Sequence, residues 1–222
     1  RQLPHTVVLV CVAIGWSATL GIILGCFSAV RRNSILDRII GVITVGAIAI
    51  PSFVVSLYAL LIFAVTLRVL PALGAGESGD IIDQLKHLVL PGFALGLGWV
   101  GYIARLVRAS MLEVMGENFI RAARAYGLPE RKIIARYALK IAIVPTVTLL
   151  GVGIGNMLSG ALFAEIVFAR PGIGKLIYDM VLMRNYPVVQ GAVLVTTALF
   201  VVSALIADMV NSYLDPRVRA NL

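Results

Sequence analysis

Side chains able to carry chemistry are few in this chain, and they are scattered. His5 and His87 stand alone near the ends of apolar runs, while Cys11 and Cys26 lie within one run at a spacing that suits neither a metal nor a bridge. No Ser, His and Asp set, no metal-ligating cluster and no "GxxxxGK[ST]" phosphate loop can be assembled, so no catalytic residue and no metal ligand is assigned. What remains is of two kinds. Isolated polar groups stand in apolar surroundings, above all Asn156, Ser159 and Glu165, with Ser52 beside Pro51. The other is the basic segment "FIRAARAYGLPERKIIARYALKIAIVP" from Phe119 to Pro145.

The elements that must position these residues follow from composition. The chain is 60% hydrophobic and only 14% charged, with a mean hydropathy of +0.98, where a soluble domain carries about a quarter charged residues. An apolar bilayer core of roughly 30 Å needs about 20 helical residues, and five windows are long enough. They run over residues 3–30, 39–66, 88–107, 141–165 and 188–214. Backbone amides in lipid must bond within their own segment, and no barrel-like alternation of short strands is present, so the fold class is all-α, a polytopic membrane bundle.

Charge sets the expected orientation. The stretch "RRNSILDR", the span from Arg105 to Lys140 and the tail after Leu214 hold 13 of the 19 Lys and Arg residues. Five alternating helices put all three on one side, which the positive-inside rule makes the cytoplasm. The opposite side receives the chain start, the loop "ALGAGESGDIID" and residues 166–187. This bias also accounts for most of the net charge of +8, so nucleic acid is excluded as a partner. Anionic lipid headgroups are the plain physical partner of such a surface.

Within the basic segment, Met115, Phe119, Ala122 and Tyr126 recur at helical spacing, and Glu113, Glu117, Arg121 and Arg124 fall on the other face. The spacing predicts one amphipathic surface helix with a Glu117–Arg121 pair. Gly127 stops it, and Pro129 opens a second helix with Ile133, Ile134, Tyr137 and Ile141 near one face. Lipid contact explains the charge but not the small residues Ala122, Ala123, Ala125 and Gly127, which would let another protein approach to backbone distance.

"RAARAYG", followed eighteen residues later by Pro145, resembles the EAA-type loop of permease subunits in ATP-binding-cassette importers. "AEIVFARPGIGKLIYDMVLMRNYPVVQGAVL" from Ala164 and "YLDPRVR" from Tyr213 extend the resemblance over residues 1–222, to the dipeptide, oligopeptide and nickel branch. The resemblance implies a type I importer permease fold, a single transmembrane domain with a cytoplasmic coupling loop at 109–140 and an outer re-entrant segment at 166–187. It implies docking on an ATPase subunit through Arg121, Ala122, Ala123, Gly127, Leu128, Pro129 and Arg131. It further implies a second, C-type permease subunit, two ATP-binding subunits that hold ATP and Mg, an external substrate-binding protein, and a bacterial or archaeal inner membrane. "FARPGIGK" is similar to the B-type subunit, which implies a further helix and a periplasmic domain ahead of Arg1. The motif's usual opening Glu is Arg121 here, and Lys140 stands where the motif carries Pro, differences common in the peptide branch.

In the fourth window Gly151, Gly155 and Ser159 recur every fourth residue, a pattern that lets helices pack closely or lines a pathway. Ser52, Asn156, Ser159 and Glu165 are the candidate path residues, with Glu165 alternatively a solvated boundary residue or a partner for Arg170. Pro51 predicts a kink in the second helix. Di- or oligopeptides are the expected cargo, with nickel or glutathione as alternatives. An ion-gradient-driven secondary transporter is the competing class, although it needs midplane ionisable groups, and here charges cluster at the ends.

Overall fold

The computed structural model describes residues 2–77 and 79–214. The basic tail, with Arg217 and Arg219 of the "YLDPRVR" block, therefore lies outside the described residues, as does the side chain of Asp208. Ten α-helices and two π-helical stretches are present and no strand is found among the described residues; the α-helices are α1 (Leu3–Val30), α2 (Ile35–Ala49), α3 (Ser52–Ala59), α4 (Ile81–Met115), α5 (Asn118–Ala125), α6 (Glu130–Lys132), α7 (Leu139–Ala142), α8 (Val144–Val167), α9 (Ile173–Leu182) and α10 (Tyr186–Leu214). α1, α4, α8 and α10 are each long and apolar enough to cross a membrane, and α2 with the segment Ser52–Thr66 forms a sharply bent apolar pair that makes a fifth span if it crosses as one unit.

The centre of the bundle is the α1–α4 seam, and its chemistry is small against large. Ala13, Ser17, Gly21, Gly25 and Ala29 recur every fourth residue on the buried face of α1. In lipid, where both surfaces are equally apolar, such a stripe gains van der Waals contact by letting backbones close up. A Cβ on Gly25 would lie 2.5 Å from the Ala104 carbonyl oxygen and 2.8 Å from Val107 Cβ. We expect Gly25→Val to destabilise the bundle by about 3 kcal/mol, the upper range for overpacking. Gly41→Ala, at a site with nothing within 4 Å, is expected to leave thermal unfolding in detergent unchanged; equal melting of the two variants would refute the seam.

The second window departs from expectation. It is not one kinked helix over 39–66 but two helices bent by 97°. Ile50 adopts φ −90°, ψ 120° ahead of Pro51, the extended conformation that a following proline imposes. α3 then passes into a π-helical stretch, Leu60–Thr66. The third helix is longer than its apolar window, because Asp80 caps it by accepting bonds from the Ile82 and Asp83 amides at 2.9 and 3.2 Å. At about 1.5 Å per residue, the 35 residues of α4 overshoot a bilayer core of roughly 30 Å.

At the α5 end of the bundle, α1, α2 and α4 are tied by one carboxylate. Arg108 donates to both Asp37 oxygens, from Nε at 2.7 Å and Nη2 at 2.8 Å. Ser28 donates its hydroxyl to the same group, and the Asn33 amide adds a bond at 3.0 Å. A bidentate pair with its remaining lone pairs filled is the arrangement in which a buried charge is tolerated. Sequence reasoning counted Arg108 only toward the inward charge bias and missed this tie.

Candidate functional site

Two regions of the bundle hold the candidate residues, at opposite ends. The first is the α5–α6 turn. α5 closes in a Schellman motif: the Leu128 amide bonds the Ala123 carbonyl at 3.2 Å and the Gly127 amide bonds that of Arg124 at 2.9 Å. Gly127 sits at φ +75°, the left-handed conformation this motif requires. Pro129 is the N-cap of α6 rather than its first helical residue. Across the turn, Arg124 bonds Glu130 through Nε at 3.2 Å and Nη2 at 2.7 Å, and these bonds hold the Glu130 carboxyl below the usual carboxylate range. Both groups are exposed, so the pair orients the turn more than it stabilises it.

The predicted amphipathic face is corrected here. α4 ends at Met115 and α5 begins at Asn118, so Glu117 is a cap residue with an extended backbone. No Glu117–Arg121 ion pair is found among the described residues; the pair is Arg124–Glu130. The inward residues of α5 are Ile120 and Ala123, while Phe119, Arg121 and Ala122 face outward. Ala123 is therefore a packing residue. Arg121, Ala122, Gly127, Pro129 and Arg131 are exposed, and Leu128 is half-buried. Tyr126, 86% exposed at the tip, was read as part of an apolar face and overlooked.

Beyond the turn, residues Ile133–Ala138 are π-helical, which resets the helical register. Ile133, Ala138 and Ala142 are buried, whereas Tyr137 and Ile141 of the predicted face are exposed. Ile120 and Ala123 share one apolar cluster with Met111 and Val114 of α4 and with Ile133, Ala138 and Ala142. The turn is thus packed on the end of α4 and on the π-helical stretch that runs into α7.

The second region is a cavity of about 440 Å³ between the start of α1 and helices α8, α9 and α10. Asn156 and Ser159 line it, together with Thr6, Thr196, Thr197 and Phe200. Thr196 and Thr197 donate their hydroxyls to the Val193 carbonyl, each at 2.9 Å, which leaves their oxygen lone pairs as acceptors. No ionisable side chain is among the lining residues. The two threonines were missed; adjacent hydroxyls inside an apolar run were the signal. Gly151 and Gly155 do serve close packing, since a Cβ on them would strike Ala207 and the Phe200 ring of α10.

Ser52 starts α3 and does not line this cavity. Nor does Glu165, which is fully buried behind it. Its carboxylate accepts from the Thr6 hydroxyl at 2.5 Å and the Lys175 amide at 3.1 Å. Thr6 Oγ1 in turn accepts from the Ile173 amide at 2.9 Å. A Cβ on Gly172 would strike the carboxylate, and one on Gly174 would strike the α8 backbone at Leu162. Glu165 is thus not a solvated boundary residue, and it stands beside Arg170 as a nearby charge without a direct ion pair; it is the anchor that holds the N-terminus of α9 to α1 and α8.

A bundle of four long apolar helices and one sharply bent pair, with an exposed helix–turn–helix at one end and a weakly polar cavity at the other, fits a membrane transport subunit. The chain belongs to the binding-protein-dependent transport system inner membrane component family, which matches residues 21–220; it is a permease subunit of an ATP-driven importer. It is 35% identical over 238 residues to the dipeptide transport system permease protein DppB of Alkalihalophilus pseudofirmus, covering 98% of this chain and 72% of that one. To the glutathione transport system permease protein GsiC of Escherichia coli K12 it is 34% identical over 219 residues, covering 99% and 69%. The fold matches that of the inward-facing MetNI methionine ABC transporter with a TM-score of 0.79, at 19% identity, over 97% of this chain and 95% of that one.

Proposed function

We propose that this chain forms half of a translocation path for di- or oligopeptides, paired with a second permease subunit. One of two ATP-binding subunits would dock on its α5–α6 turn, and an external binding protein would deliver the cargo. In this reading α5 and the C-terminal tail face the cytoplasm of a bacterium or archaeon, residues 109–140 are the coupling loop, and residues 166–187 form the outer re-entrant segment. The observation that carries it is the shared cluster of α5 with α4 and α7. Force on the exposed face of α5 reaches the long α4 through packed side chains, and reaches α8 through the π-helical stretch and α7 that lead into it, which is what coupling ATPase closure to a path requires.

Arg121, Ala122, Gly127, Leu128, Pro129, Arg131 and Tyr126 make up the docking surface, with Ala123 as its support from below. Asn156, Ser159, Thr196 and Thr197 line the path. A cavity of amide, hydroxyl and apolar groups suits a solute of neutral peptide units better than a bare nickel ion, and the names of the relatives point the same way. Glutathione, itself a peptide, is the nearest alternative cargo. Reconstitution of the chain with its partner permease, ATPases and binding protein in vesicles is expected to give dipeptide uptake that requires ATP. Uptake driven by a proton or sodium gradient without the ATPases would refute the proposal.

A further inference from the structure

An open groove of about 680 Å³ runs between α2 and α4 at the α5 end of the bundle. Its upper wall carries Arg38, Arg105 and Arg108, and below them lie Val42 and Val45. Asp37 is the acidic residue in the lining, and its oxygens are already taken by Arg108, Ser28 and the Asn33 amide. The lining therefore keeps a surplus of positive charge, and the Arg108 guanidinium is held rigidly in place. The same bonds fix its depth. Through Asp37, Arg108 stands level with Ser28, two residues short of the end of α1, where the apolar run gives way to Arg31 and Arg32. A change from apolar to basic residues is where acyl chains give way to headgroups. Val42 and Val45 lie one and two turns further along α2, 73% and 51% exposed.

We propose that this groove binds one anionic phospholipid, its phosphate held between Arg38 and Arg105 and an acyl chain lying along Val42 and Val45. A guanidinium forks naturally onto a phosphate, and basic pockets between membrane helices are where acidic headgroups are selected over neutral ones. A soluble phosphate would use the arginines but leave the aliphatic floor exposed. The joined charged and aliphatic walls are what favour a lipid.

The test uses the purified full chain in detergent, with phosphatidylglycerol or phosphatidylcholine of matched acyl chains, and counts retained lipid by native mass spectrometry. One phosphatidylglycerol should remain bound with about a tenfold preference over phosphatidylcholine, in keeping with two basic contacts at the surface. Arg38→Ala with Arg105→Ala, both exposed side chains, should abolish the preference. Arg136→Ala with Lys140→Ala, exposed basic residues outside the groove, should preserve it. Equal retention of the two lipids, or an unchanged preference in the groove variant, would overturn the proposal. So would displacement by inorganic phosphate at matched concentration, which would make the groove a soluble-anion site. Cross-linking of Val42→Cys to a second permease polypeptide in the assembled importer would make it a protein interface instead. None of these readouts depends on transport, so they stand or fail apart from the proposed cargo.

Discussion

Replacing Glu165 with Ala will release the N-terminus of α9 from the bundle. The carboxylate is wholly buried and collects the Thr6 hydroxyl and the Lys175 amide, while Thr6 relays the Ile173 amide. Removing it strands these donors and leaves Arg170, itself buried with Nε and Nη1 unpaired, without the negative charge beside it. Uncompensated buried groups of this kind cost about 3 kcal/mol or more. Glu165→Gln keeps one acceptor oxygen and should lose less. Hydrogen exchange at the amides of 173–176 is the direct measurement, with protection falling in the order wild type, Gln, Ala. Protection in the Ala variant equal to wild type would show that α9 is held by its apolar contacts alone. Because Ile173, Gly174 and Ile177 also line the cavity, uptake should fall in the same order.

The second large effect separates two neighbouring alanines. Ala122 is exposed and Ala123 is 7% exposed in the cluster that joins α5 to α4. Ala122→Asp should leave thermal stability within about 0.5 kcal/mol, as surface changes do, yet cut ATP-driven uptake about tenfold if it removes roughly 1.4 kcal/mol of docking. Tyr126→Ala is expected to behave alike, since an exposed aromatic at a tip is the kind of side chain on which interfaces concentrate their energy. Ala123→Asp buries a charge and should instead destabilise the whole bundle. ATP hydrolysis and uptake measured together make the distinction: the first two variants should hydrolyse ATP with about a tenth of the uptake per ATP, while the third should not assemble. Full coupling in both Ala122→Asp and Tyr126→Ala would remove α5 from the docking surface.

Much of this was legible before any coordinates. The apolar windows were found because bilayer thickness prescribes their length, and Gly127 was read as a stop because only a left-handed residue closes a Schellman motif. The errors along the basic segment share one cause. Ile134, Tyr137 and Ile141 were placed on one face by an α-helical period, and six π-helical residues shifted that face. Glu117 was counted into a helix that in fact ends and restarts around it. In each case a local backbone irregularity, which hydropathy does not encode, moved side chains to another surface.

The sequence by itself determined that this is an all-helical membrane protein, which of its segments are apolar, that a turn falls at Gly127, and which family motifs it carries. Each of these depends on residue type and near-neighbour spacing, which the physics of a bilayer and of helix caps converts into structure directly. Only the tertiary structure decided that Asp37 pairs with Arg108, that Glu165 anchors α9 instead of facing the path, and that Thr6 meets residues more than 150 positions away. Those pairings arise because the small-residue stripe on α1 lets the helices close to backbone contact, and a buried carboxylate must then find its partners on whichever helix that packing brings beside it.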